Sequence, residues 1–144
     1  MGPYRFIEDA PTADVGFIAT GTTLADCFRA AADATLAVML GNPEALRHDE
    51  QRAVRVGAAS PDLALLRFLE ELIYYKDADG LFLTPTAVTV DETAAGVHVE
   101  ATLTGEPIDP ARHQLAGDVK AVTLHKLRVC RTNYGWEATV VLDL

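Results

Sequence analysis

Gly135-Trp136-Glu137-Ala138-Thr139-Val140-Val141-Leu142-Asp143-Leu144, the last stretch of the sequence, alternates between two sets of residues. Trp136, Ala138, Val140 and Leu142 fall on one face, and Glu137, Thr139, Val141 and Asp143 on the other. That period of two predicts a β-strand. A strand this apolar is expected to seat against the core and fix its own end. Its final residues then hold the Asp143 side-chain carboxylate and the carboxylate of Leu144 one residue apart. Like charges held close repel, and they are tolerated best with a cation between them. Hard oxygen donors suit calcium or magnesium better than zinc.

Tyr4–Ile7 and Val15–Thr20 also read as strands, separated by a turn over Glu8–Pro11. Thr23, with Asp26 three residues on, begins a helix whose buried stripe is Leu24, Phe28, Ala31, Ala32, Leu36, Met39 and Leu40. Gly41 and Pro43 end it. Glu50–Ala58 alternates as a strand. Ser60-Pro61-Asp62 then starts a second helix, with Leu65, Leu66, Leu69, Leu72 and Ile73 inward and an end expected near Lys76. The remainder reads as sheet. Leu81–Val90 is interrupted by Pro85, as at an edge or bend. Val97, Val99, Ala101 and Leu103 alternate cleanly. The segment 119–129 changes phase, as a doubly buried strand or a bulge does. Gly105–Asp118 reads as one long loop. The expected fold is α+β, a single domain over residues 1–144, with two amphipathic helices packed on mixed, largely antiparallel sheet.

Composition narrows the function. Asp and Glu number 21 against 12 Lys and Arg, a formal net charge of −9. Phosphate backbones attract basic surfaces, so autonomous nucleic-acid binding is not expected. The balance permits docking to a basic protein, although acidity also serves plain solubility. Cys27 and Cys130 are too few for a zinc spacing or a disulfide framework and are expected to be reduced thiols. No run is apolar or long enough for a bilayer span and the first residues lack a secretory core, so the expectation is a cytoplasmic protein without membrane contact.

Asp14, at the entrance of the second strand, is a further oxygen donor. Read alone, it is a turn residue that bonds backbone amides, with Asp143 solvated. Asp118, Lys120 and His125, with Asp109, Arg112 and His113 of the long loop, form a second polar constellation. Partner contact and a solvent-facing sheet surface are both open readings for it. His48 and His98 lack ligand spacing and read as surface residues. Asp77-Ala78-Asp79-Gly80 fails as a calcium loop, because Tyr75 and Thr86 fall at its first and twelfth ligand positions. No phosphate-binding Gly loop is present, and the aromatic residues are not interleaved with basic ones.

Thr12-Ala13-Asp14-Val15-Gly16, Leu81-Phe82-Leu83, Gly105-Glu106-Pro107, Val119-Lys120-Ala121-Val122-Thr123 and the final Asp143-Leu144, in that order and over essentially the whole chain, resemble the archease family. Those are small accessory proteins of the RNA-splicing ligase that joins tRNA halves. The resemblance implies a divalent-metal site at Asp14, Asp143 and Leu144, with calcium the favoured ion and magnesium an alternative. It implies a non-enzymatic activator that promotes guanylylation and multiple turnover of the ligase, GTP belonging to that partner. The chain departs from the family at one point: Pro11 stands where a His usually precedes Thr-Ala-Asp, and Asp9 is a candidate replacement donor. Two alternatives stand beside this reading. One is an independent metal-dependent phosphoester hydrolase using Asp14, Asp143 and His113 or His125. The other is a chaperone-like binding module.

Overall fold

The computed structural model describes residues 3–7 and 14–144. The expected turn at Glu8–Pro11, together with Asp9 and Pro11, lies outside the described residues. Eleven elements follow in the order β1 (Tyr4–Ile7), β2 (Asp14–Gly21), α1 (Leu24–Met39), a short 3-10 turn (Pro43–Ala45), β3 (Glu50–Ala58), α2 (Pro61–Asp79), β4 (Leu81–Thr93), β5 (Gly96–Pro107), β6 (Ala121–Val122), β7 (Arg128–Thr132) and β8 (Gly135–Asp143).

The strands form two sheets, and the described pairings are antiparallel rather than mixed. One sheet has five strands in the order β1-β2-β8-β6, with β7 also on β8; the other has three, β3-β5-β4. Helix α1 packs against strands of both sheets, including β2 and β4. That is why its burial runs around the helix: Ala30 and Ala34 are buried as fully as Phe28 and Leu36. Small side chains on two sides let the helix approach both sheets closely. Helix α2 packs mainly on β3, β4 and β5, keeping Leu65, Phe68, Leu69, Leu72 and Ile73 inward and Tyr74 outward.

The helix starts are capped as the residue types require. Thr23 Oγ1 accepts the Asp26 N–H at 3.0 Å, and the Ser60 hydroxyl accepts the Leu63 N–H at 3.4 Å. Helix α2 runs a turn beyond the expected end, to Asp79. Gly80 stops it in the left-handed region, φ 64°, with its N–H on the Lys76 carbonyl. Nothing between Lys76 and Gly80 breaks a helix, so the chain continues until the residue that can reverse it.

Two further boundaries differ from the sequence reading. Strand β5 extends through Glu106 to Pro107, so the loop begins at Ile108. Gly105 pairs with Leu83 there, and a Cβ at this position would overlap the Phe82 carbonyl oxygen. The segment 119–129 is two short strands and not one. Val122 lies opposite Leu142 and Arg128 opposite Thr139. Residues 123–127 therefore span only Val140 and Val141 on β8. The excess leaves the ladder as a turn, with Lys126 at φ 58°. The phase change in the sequence is this excursion. At Pro85 the expected bend is present: register shifts between Pro85 and Ala87 on edge strand β4.

Candidate functional site

The end of β8 is held on both sides. Asp14 is the first residue of β2 and lies directly opposite Asp143; Val15 lies opposite Leu142. On the other flank Ala121 lies opposite Asp143, and the Lys120 N–H donates to the Asp143 carbonyl at 2.8 Å. Residues directly opposite in an antiparallel pair share a face, with Cβ atoms about 5 Å apart. Both carboxylates are half-buried. Among the described residues neither forms a salt bridge or a side-chain hydrogen bond. A cross-strand pair of uncompensated like charges is destabilising by itself. Beside it, Thr123, whose N–H donates to the Val141 carbonyl, carries a buried Oγ1 that lacks a hydrogen-bond partner among the described residues.

Leu144 fixes the corner from the core side. Its side chain lines a groove with Phe6, Val15, Ala37, Val38 and Gly117. The Gly117 and Ala116 N–H groups donate to the Val38 and Met39 carbonyls, so the loop after β5 lies along the last turn of α1. Among the described residues no three or more His, Cys, Asp or Glu side chains converge as a metal cluster. The corner offers two such side chains, and both are hard oxygen donors. That donor set fits calcium or magnesium and excludes a thiolate or imidazole site.

The second sequence constellation divides into separate places. Arg112 and His113 are drawn to Glu106 at the end of β5. Arg112 donates to Glu106 Oε1 and, at 2.9 Å, to the Ala45 carbonyl. His113 Nε2 is 3.1 Å from Glu106 Oε2, and the Arg47 N–H donates to the same oxygen at 2.6 Å. His113 Nδ1 accepts the Asp109 N–H at 2.9 Å, which leaves the ring proton on Nε2, facing Glu106. Burial pushes the Glu106 carboxyl up, but the hydrogen bonds from Arg112, Arg47 and His113 outweigh it and hold the group down at about 2. His113 is 4% exposed and committed at both ring nitrogens, so it is not a free base for hydrolysis.

Asp118 belongs to another pair. Lys76 is buried on α2, and its Nζ donates to Asp118 at 2.6 Å, to the Val119 carbonyl at 2.7 Å and to Asp77 at 2.8 Å. Burial alone would depress the amine; the bonds to Asp118 and Asp77 raise it above its ordinary value. Sequence reasoning missed Lys76, yet its spacing from Leu69, Leu72 and Ile73 continues the inward stripe. Lys120 and His125 are exposed, the first beside Asp143 and the second in the turn after β6, and no bond joins them. His48 and His98 are exposed as expected. Cys27 and Cys130 are free, and burial, with Cys130 and Glu137 nearby, pushes the Cys27 thiol up to about 12.

Comparison with known proteins agrees with this architecture. Residues 4–144 match the family model described as the Archease protein family (MTH1598/TM1083). The chain is 33% identical over 134 residues to the protein archease of Pyrococcus abyssi, covering 92% of this chain and 94% of that one. It superposes on the solution structure of Methanobacterium thermoautotrophicum protein 1598 with a TM-score of 0.85, at 32% identity and full coverage of both chains. The crystal structure of a Thermotoga maritima protein described as an archease and possible chaperone shares the fold, with a TM-score of 0.62 at 17% identity over 93% of each chain. With the family model matched over nearly its whole length and relatives of this similarity, the chain belongs to the archease family.

Proposed function

We propose that this protein is an accessory activator of a GTP-dependent RNA-splicing ligase, acting in the cytoplasm on tRNA splicing or RNA repair. The observation that carries the reading is Asp14 opposite Asp143 in register, two carboxylates without a cationic partner among the described residues. Asp14 and Asp143, with oxygen from Leu144, would hold a divalent cation, calcium before magnesium. The cation would neutralise the corner and order the surface that the ligase meets. The chain itself supplies the rigidity. Strand β8 is flanked by β2 and β6, and Leu144 anchors the corner to α1. GTP and the chemistry of ligation belong to the partner. Activation then amounts to favouring a reactive state of the ligase, in proportion to the difference in binding to its two states.

The test measures guanylylation and turnover of a purified RNA-splicing ligase with and without a stoichiometric amount of this protein. Faster guanylylation and repeated turnover are expected, and an Asp143→Ala variant should not support them. Unchanged ligase kinetics would refute the reading. Capture from cell extract separates a chaperone-like role: recovery of an RNA ligase supports activation, and recovery of many unfolded clients supports the alternative. Phosphoester turnover by the isolated protein with added metal would favour the hydrolase.

A further inference from the structure

The charge of this chain is not spread evenly. Four of its 12 basic residues, Lys120, Lys126, Arg128 and Arg131, lie between Val119 and Trp136, a stretch holding none of its 21 acidic residues. Net charge therefore describes this stretch poorly. All four basic side chains are exposed, and none forms an ion pair among the described residues. Arg52, Arg55, Lys76 and Arg112 are each paired with a carboxylate.

The fold strings these cations along one edge. Lys120 sits beside Asp143 at one end of β8, and Arg131 lies opposite Trp136 at the other. At about 3.3 Å per residue, that stretch of β8 is roughly 23 Å long. Arg128 lies opposite Thr139, so Arg128 and Arg131 project from opposite faces of β7. Lys126 sits in the turn between β6 and β7. The Arg131 guanidinium lies over the Trp136 ring, 5.4 Å from its centre, and the neighbouring Tyr134 ring is 90% exposed at the hairpin tip. Three carboxylates approach this edge: Asp143 lies opposite Ala121, next to Lys120, Asp62 accepts the Val129 N–H at 3.2 Å, and Glu137 lies opposite Cys130.

We infer that this edge, Lys126 through Arg128 to Arg131 with Tyr134 at its tip, binds the phosphate backbone of a single-stranded nucleic acid. A line of charges that turns around an edge suits a flexible extended polyanion; a folded acidic protein surface meets one face at a time. The exposed Tyr134 ring gives a base a stacking surface, which an acidic peptide does not use. The acidic remainder of the chain keeps the interaction weak and sensitive to salt. This inference does not depend on the ligase reading, because it concerns the isolated protein.

The test is fluorescence anisotropy of a labelled oligouridine titrated with the full chain over a series of salt concentrations. Three neutralised phosphates give a slope of log affinity against log salt of about −2. The variant carrying Lys126→Gln, Arg128→Gln and Arg131→Gln should bind about tenfold more weakly or worse, with most of the slope lost. Arg131 also packs on Trp136, so the double variant Lys126→Gln with Arg128→Gln decides the matter if the triple variant fails to fold. It should lower the slope by about 1.4. Tyr134→Ala should weaken binding and leave the slope unchanged. No binding by the wild-type chain at low salt, an unchanged slope in the double variant, or an affinity for labelled polyglutamate of the same charge equal to that for the oligouridine would overturn the inference. No ligase is present, so this result and the guanylylation result can differ.

Discussion

Glu106 and the Asp14–Asp143 corner are both acidic, both sit at the ends of sheet strands, and the fold treats them in opposite ways. Each Glu106 oxygen is bonded, one to Arg112 and the other to the Arg47 N–H and His113. The cluster ties the end of β5 to the loop after it and to the segment leading into β3. At the corner, two carboxylates face each other across β2 and β8 with no such partners among the described residues. A compensated buried carboxylate explains itself by what it holds together. A pair without such partners among the described residues, fixed in register by a well-formed ladder, has a cost that a bound cation would offset. That difference separates architecture from candidate function in this chain better than burial or residue type does.

The largest effect is expected at Glu106. Glu106→Ala leaves Arg112 and the Arg47 N–H without their acceptor and should cost about 3 kcal/mol or more in urea unfolding. Wild-type stability in that variant would show that the cluster does not hold the loop. The same group sets an acid limit. Its carboxyl is held at about 2 against an ordinary 4.5. A carboxyl depressed in the folded state stabilises the fold above its unfolded value, and that contribution is lost as pH falls. Stability should therefore decline between about pH 4.5 and pH 2, and less steeply in Glu106→Gln.

The corner should respond to metal where Glu106 does not. Calcium at about a hundred times its dissociation constant should raise unfolding stability by about 2.7 kcal/mol, and Asp143→Asn should abolish the gain. In chelator, Asp14→Asn removes one of two facing like charges and should stabilise the fold by roughly 0.5 kcal/mol.

Much of this was legible in the sequence. Alternation in 135–144 and in 97–103 predicted β8 and β5, because each has one face on the core. Thr23 and Ser60 marked both helix starts, because a cap is a local interaction between a hydroxyl and an N–H three residues away. Asp14 and Asp143 were brought together by the family resemblance, since read alone they were a turn residue and a solvated carboxylate; the pairing of β2 with β8 sets them opposite each other. What was not legible is long-range. The split of 119–129 is set by register on β8. The division of Asp109, Arg112 and His113 from Asp118 is set by two buried partners, Glu106 and Lys76, which lie on different elements. The segregation of basic residues was in plain view but hidden by averaging over the chain.

We propose that the two strand ends make one cation site. Isothermal titration of the metal-free protein with calcium is the test, with Asp14→Asn and Asp143→Asn titrated alongside. One ion per chain in the wild type, with binding lost in either variant, is the expected result. Absence of binding heat in the wild type, or unaltered binding in both variants, would rule out a cation site between Asp14 and Asp143.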